Sequence, residues 1–219
     1  ELNVYCEIVP YNDIPEDKSA IKGVIFSGSP HSVLDSDAPQ IDLNRFVGKK
    51  PLLGVCYGAQ YLAEHLGGKV SKSLHREYGR AMLNTSISDN ALLKDMSPTS
   101  QVWMSHGDTI ERLPENALHI ARSADIENAA YAFSDSDTWG IQFHPEVYHS
   151  AEGSQLLKNY VVDICGCSQS WTPASFIEDT VAKIREQVSE GKVVLGLSGG
   201  VDSSVAAMLL HKAIGDRLH

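Results

Sequence analysis

Two short strings in the 219-residue sequence hold residue types that do chemistry together. The first is Gly54-Val55-Cys56-Tyr57-Gly58. Small residues two before and two after a nucleophile permit a tight turn from strand to helix, which lifts the side chain above a sheet. The helix that follows aims its N-terminus at the sulfur and favours thiolate over thiol. The second string is Ile141-Gln142-Phe143-His144-Pro145-Glu146: an imidazole ends an apolar run, a carboxylate follows two residues later, and a proline stiffens the turn between them. A thiol nucleophile needs a base that later protonates the leaving group, and that base needs a third group to fix its tautomer. His144 and Glu146 suit those roles. Each string alone has a plainer reading, since a free cysteine commonly sits buried at the end of a core strand. Their occurrence in one chain points to nucleophilic catalysis by a thiol.

A third string, Ser198-Gly199-Gly200-Val201-Asp202-Ser203-Ser204, follows the apolar run Val193-Val194-Leu195-Gly196-Leu197 and opens a helical pattern reaching 213. Consecutive small residues let backbone N–H groups turn inward, and a helix N-terminus adds partial positive charge, so the string reads as an anion nest. Ser-Gly-Gly by itself suits an ordinary glycine turn. The Gly-Lys-Ser/Thr of a Walker loop is missing, and so is a dinucleotide fingerprint.

The elements that must position these groups are short apolar runs, at 23–26, 51–56, 101–105 and 139–144, each ending in Ser, Cys or His or running into them. Such runs suit a buried, mostly parallel sheet, and ligands of open α/β sheets sit beyond the carboxyl ends of strands. Ser27, Cys56, Ser105 and His144 all fall there. Helix-period apolar positions occupy 57–66 and 154–164, and residues 4–9 read as a strand entered from the tail of a helix. The alternating middle, 69–133, predicts antiparallel strands and hairpins. Residues 166–173 read as a linker, after which Thr172 caps a helix with Pro173 in its first turn, running to about 188. The fold class is therefore α/β, with a second α/β domain begun but not finished. The chain opens at Glu1 without methionine and closes at His219, so it reads as a piece of something longer.

Composition narrows the function classes. The chain is 42% hydrophobic and 21% charged, ordinary for a globular protein, and its formal net charge is −10. That acidity argues against nucleic acid or an anionic membrane surface as partner, because no basic excess is there to neutralise phosphates. No apolar run approaches the ~20 residues of a membrane span, and no signal peptide opens the chain. Four cysteines are too few and too unevenly spaced for a disulfide scaffold, which suits a reducing, cytoplasmic setting. Cys165-Gly166-Cys167 lacks a second ligand pair for a metal, and Cys6 reads as core packing.

Gly54-Val55-Cys56-Tyr57-Gly58-Ala59-Gln60 with Gln142-Phe143-His144-Pro145-Glu146 resembles the class I, triad-type glutamine amidotransferases, over about residues 1–165. The resemblance implies a flavodoxin-like, mostly parallel sheet with helices on both faces, its first strand missing here. It also implies a reaction in which cysteine attacks the side-chain amide of glutamine, releases ammonia and forms a glutamyl thioester that water hydrolyses. By it Cys56 is nucleophile, His144 base and acid, and Glu146 the orienting carboxylate. Ser27-Gly28-Ser29-Pro30 resembles the oxyanion strand, with donors at Gly28 or Ser29 and at Tyr57; the family more often has glycine where Ser29 stands. Gln60, Tyr78 (in the matching Arg76-Glu77-Tyr78-Gly79), Ser105, His106 and Asp108 are implied to hold glutamine. No cofactor is implied for this domain.

The string from Ser198 to Ser204 resembles the pyrophosphate loop of the N-type ATP pyrophosphatases, which cleave ATP between its α and β phosphates and adenylate a carbonyl oxygen. That resemblance covers the beginning of an adenine-nucleotide-hydrolase-like domain at 174–219, with ATP bound by all seven residues and Mg²⁺ near Asp202. An amidotransferase placed ahead of such a loop implies a ligase that adenylates xanthosine monophosphate and displaces AMP with ammonia made from glutamine. It further implies a homodimer formed through a region beyond His219. Two other readings compete: a stand-alone cysteine hydrolase of γ-glutamyl bonds, and a non-catalytic nucleotide-binding module.

Overall fold

A computed structural model of the chain describes residues 2–16, 19–87 and 89–219, with the side chains of 74–77 outside that description, so the matches at Arg76 and Glu77 lie outside it too. The chain divides into two compact units, Cys6–Cys167 and Ser168–His219 with Glu1–Tyr5. The first holds a seven-stranded sheet in the order β1-β2-β7-β6-β5-β3-β4. Its strands are β1 Val24–Phe26, β2 Leu52–Val55, β3 Lys69–Thr85, β4 Thr99–Arg112, β5 Ala117–Arg122, β6 Ala130–Phe133 and β7 Thr138–Ile141.

The α/β class holds, but the balance of strand directions differs from a mostly parallel sheet. β1, β2 and β7 run parallel, whereas β7–β6, β6–β5, β5–β3 and β3–β4 are antiparallel. Short loops join β5 to β6 and β6 to β7, and only antiparallel neighbours can be joined so tightly. The parallel strands are the near-continuous apolar ones: β2 and β7 are buried at every position.

Helix α1, Tyr57–His65, contains no β-branched residue and buries all of its first seven positions. It lies on one face of β2, where Leu52 joins Leu62, Phe26 and Phe46. On the other face Leu53 joins Leu156 and Tyr160. Leu52 and Leu53 are each wholly buried, worth about 1.5–3 kcal/mol apiece. The helix expected over 154–164 is split: α2 spans Gly153–Lys158 and continues as a π-helical turn, Asn159–Ile164. In that turn the Tyr160 hydroxyl lies 2.6 Å from the carbonyl of Val24 and 2.8 Å from that of Pro51, and accepts from the Val24 amide at 3.2 Å. One phenol thus clamps β1 to β2.

Residues 4–9 form no strand, contrary to expectation; Ile8 is 99% exposed and no neighbouring strand among the described residues offers a ladder. Cys6 is likewise exposed rather than core.

The second unit pairs α3, Pro173–Val188, with α4, Val201–Ile214, around Val181, Ala213 and Ile214. Thr172 caps α3 through a reciprocal box with Ser175, and Pro173 occupies the first turn, as the sequence predicts. The apolar run 193–197 does not become a full strand. It keeps a single bridge, Val193 to Leu218, because the only backbone it meets among the described residues is the short stretch 217–219. Among the described residues no helix is long and apolar enough to cross a membrane.

Tyr160→Phe is expected to lower stability by about 1 kcal/mol, the net worth of the hydroxyl's hydrogen bonds, since the Val24 amide keeps its bond to the Pro51 carbonyl; urea unfolding at neutral pH measures it.

Candidate active site

The tightest constraint in the site is the turn at Cys56. Its backbone has φ 53°, ψ −105°, a left-handed conformation for a residue with a side chain. Its amide donates to the Ile141 carbonyl at 2.8 Å, and its carbonyl accepts from Gln60 at 3.1 Å as the first bond of α1. Glycine is needed at both flanks. A Cβ at Gly54 would lie 2.7 Å from the Ala59 nitrogen, and one at Gly58 would run into the carbonyl oxygen of Phe26 on β1. The turn therefore holds Cys56 beyond the carboxyl end of β2, buried to 7% exposure.

His144 reaches the same rim from β7. Its amide donates to the Trp103 carbonyl at 2.9 Å, and its carbonyl accepts from the Ser150 hydroxyl, which in turn accepts from the Trp103 amide at 3.0 Å. The ring's Nδ1 donates to Glu146 Oε1 at 2.7 Å, so Nε2 is the nitrogen left for the sulfur. A Cβ placed on Gly28 would be 3.5 Å from His144 Cε1 and 3.8 Å from Cys56 Cβ. Ring, thiol and the loop after β1 thus converge on one point. Nε2 itself is buried without a bond of full hydrogen-bond geometry among the described residues, the looser spacing common in sites without substrate.

Electrostatics agree with that convergence. The Cys56 sulfur first, and Glu146 second, push the His144 imidazole up to about 10 against the loss of water around it. Burial is the largest single influence on Glu146 and pulls it upward, but the bond from His144, the residue's own backbone amide and the His144 charge together outweigh it, and the net direction is down. His106 goes the other way: burial, with the nearby positive His144, lowers it and keeps it neutral, while its Nδ1 donates to the Asp108 carbonyl at 2.8 Å.

Ser105 is not at a strand end as expected. It sits in the middle of β4, which continues to Arg112, and its carbonyl faces the Cys56 sulfur at 3.6 Å. Tyr78 lies directly across from it on β3 and is 65% exposed. Gln60 projects from α1 into a dry cluster at 4% exposure, where its Nε2 donates to the Asp108 carbonyl at 3.0 Å and to Gln142 Oε1 at 3.2 Å. Both amide protons are thereby used, and the oxygen remains as Gln60's acceptor. Gln142, part of the string that ends in His144 and Glu146, carries no assigned role in the sequence reading. It is fully buried, and its Nε2 lies 3.9 Å from the Cys56 sulfur. Tyr57 heads α1, so its amide has no earlier turn to bond. Neither Gly28 nor Ser29 has a positive φ, so serine stands at 29 without backbone cost; its hydroxyl accepts from the His31 amide at 3.2 Å.

In the second unit, Gly199 at φ +81° turns the chain into α4. The Ser203 and Ser204 hydroxyls both donate to the Gly200 carbonyl at 2.9 Å, and Ser198 donates to Ser203 at 3.0 Å. Gly200 offers α4 no side-chain cap, so the first amides of the helix face outward, and Asp202 stands exposed in that first turn. Exposed amides with a carboxylate beside them fit a phosphate chain and a divalent cation on it.

Both units resemble known proteins. Residues 1–164 match the family described as glutamine amidotransferase class-I, and residues 173–219 match that described as NAD synthase. A protein of Bacteroides thetaiotaomicron named GMP synthase [glutamine-hydrolyzing] 1 is 56% identical over 218 residues, covering 100% of this chain and 43% of that protein. One of Phocaeicola vulgatus, named GMP synthase [glutamine-hydrolyzing], is 58% identical over 218 residues, again 100% of this chain and 42% of the relative. The chain thus spans less than half the length of these relatives. Among solved structures, a Thermoplasma acidophilum protein described as one subunit of a candidate GMP synthase superposes with TM-score 0.60 at 28% identity, over 79% of this chain and 83% of its own.

The charged His144 stabilises the fold fully below its unfolded value near 6.5, and that contribution is lost as pH rises through about 10. Replacing a partner removes negative charge or an acceptor, so the ionisation of His144 must fall toward 6.5. The drop is expected to be larger for Cys56→Ala than for Glu146→Gln, read by NMR titration of the imidazole C2 proton.

Proposed function

Since the chain belongs to the class I glutamine amidotransferases, we propose that residues 1–165 are a glutaminase and that 174–219 begin a synthetase domain, joined by a linker at 166–173, in an enzyme that makes GMP. The observation that carries the reading is the convergence of Cys56, His144 and Gly28 at one rim of the sheet, with Glu146 bonded behind the ring.

In the glutaminase step the Cys56 sulfur, its proton already held on His144 Nε2, attacks the side-chain carbonyl carbon of glutamine. Negative charge builds on the carbonyl oxygen, which the amides of Tyr57 and of Gly28 or Ser29 face as donors. Two such preorganised donors are the main electrostatic help available to acyl transfer. His144 returns the proton to the leaving nitrogen, ammonia departs, and a glutamyl thioester remains. Water, deprotonated by the same ring, attacks the thioester and yields glutamate and the free thiol. Glu146 keeps Nδ1 protonated, so Nε2 is the atom that cycles. Gln60, with both protons engaged, offers an oxygen to the substrate's α-ammonium, while Ser105, His106 and Asp108, with Tyr78 across the ladder, shape that end of the pocket.

The freed ammonia then attacks C2 of xanthosine monophosphate, whose C2 oxygen has been adenylated by ATP with loss of pyrophosphate; AMP leaves and GMP forms. Ser198, Gly199, Gly200, Val201, Asp202, Ser203 and Ser204 would hold the departing pyrophosphate, with Mg²⁺ at Asp202. Producing ammonia next to its acceptor raises its effective concentration above what dilution and protonation in water allow. The match of 173–219 to an ATP-using family disfavours a stand-alone γ-glutamyl hydrolase. The substrates are soluble metabolites, so we place the reaction in the cytoplasm.

In the full-length protein, Cys56→Ala should abolish GMP formation from glutamine and leave formation from ammonium salts intact; loss of both would make Cys56 structural. Asp202→Ala should spare glutamine hydrolysis and remove ATP consumption, both followed by coupled assay. Collapse of the hydrolysis as well would overturn the division into two chemistries.

A further inference from the structure

The buried amide of Gln142 has a direction that its neighbours dictate. Side-chain amide nitrogen and oxygen are not distinguished by shape, so the assignment must come from partners. The chain of bonds begins at the Asp108 backbone carbonyl, which can only accept. Gln60 therefore turns its NH₂ group toward it, 3.0 Å away. The second proton of that NH₂ points to Gln142 at 3.2 Å, and the atom receiving it must be Gln142's oxygen. Gln142's own NH₂ is then obliged to face the Cys56 sulfur, at 3.9 Å. Every member of this relay is buried: Gln60 to 4% exposure and Gln142 to 0%. Water cannot reorient it.

The sulfur's other polar neighbour opposes this one. The Ser105 carbonyl, at 3.6 Å, is an acceptor and stabilises the S–H form. Only a donor can offset it, since a thiolate accepts and cannot donate. We propose that Gln142 is a positioning residue of the nucleophile: its N–H, aimed by the Asp108 carbonyl through Gln60, holds the sulfur toward His144 and favours its anionic form over the hydrogen bond to Ser105. This rests on the reading of Cys56 as nucleophile. The charged and titratable groups around the sulfur are His144 after β7, Glu146 behind it, and His106 and Asp108 on β4, and all stay the same in the variants below.

The test is the rate of Cys56 alkylation by iodoacetamide in the full-length chain, without glutamine, followed by peptide mass analysis from pH 5 to 10. Gln142→Met keeps the bulk and loses the donor. Gln142→Glu keeps the shape and turns an acceptor on the sulfur. Rates at pH 7 should fall in the order parent, Met, Glu, by about fivefold for the first step, the worth of one net hydrogen bond, and the pH midpoint of alkylation should rise in the same order. A space-filling role reverses that order, because glutamate is the closer isostere, and would overturn the proposal, as would unchanged rates. Should both variants lose cooperative unfolding, Gln60→Met removes the group that aims the amide, and its contact with substrate does not enter because glutamine is absent from the assay; slower alkylation then supports the proposal and an unchanged rate rejects it. If the parent's Cys56 reacts no faster than the exposed Cys6, it is the nucleophile assignment that fails instead.

Discussion

The unpaired edge of β4 is the constraint on which the site depends. An edge strand presents a row of carbonyls and amides that must find partners, and here the partners are not another strand. The carbonyl of Gln101 takes the Ala151 amide at 2.9 Å, that of Trp103 takes the His144 amide at 2.9 Å, and that of Ser105 meets the Cys56 thiol at 3.6 Å. These carbonyls recur at every second residue, the period with which a strand repeats one edge. The loop carrying the imidazole and the turn carrying the thiol are therefore spaced by the strand itself. This explains why an antiparallel extension is attached to a parallel core whose strands alone would leave that rim open.

The turn at Cys56 is held against its own preference. A non-glycine residue at positive φ costs of order 1–3 kcal/mol, and it persists because its surroundings leave no alternative. The Cys56 amide is bonded to β7, Gly58 is pressed against β1, and α1 begins immediately with a bond back to Cys56. Three elements thus meet at one residue, and the apolar faces of β2 on either side supply the stability that the strain consumes. Strain of this kind and reactive side chains tend to coincide, since a side chain in a relaxed turn would lie down in the packing.

Much of this is legible in the residues. Cys56, His144 and Glu146 declare themselves because small residues and proline punctuate the strands around them, and α1, α3 and α4 declare themselves by apolar period and caps. Other features leave no local trace. Gln142 looks like one more residue in an apolar run, and only the folded partners reveal why its amide is buried. The apolar run that stops at Ser105 suggests a strand end there, but alternation continues to Ile110 and pairing with β3 carries the strand further. Of two runs with strand composition, that at 4–9 meets no strand among the described residues and that at 193–197 meets only 217–219, and composition cannot supply a partner. In each case the missing signal is a contact distant in sequence.

Because the imidazole and the thiol are suspended from carbonyls only two residues apart on one strand, thermal breathing of that strand carries both together. Their mutual spacing is shielded from such motion, and the amide of Tyr57, one peptide bond from Cys56, travels with the sulfur. A shift of the strand therefore moves the reacting groups as a set and leaves the proton exchange at their centre in tune.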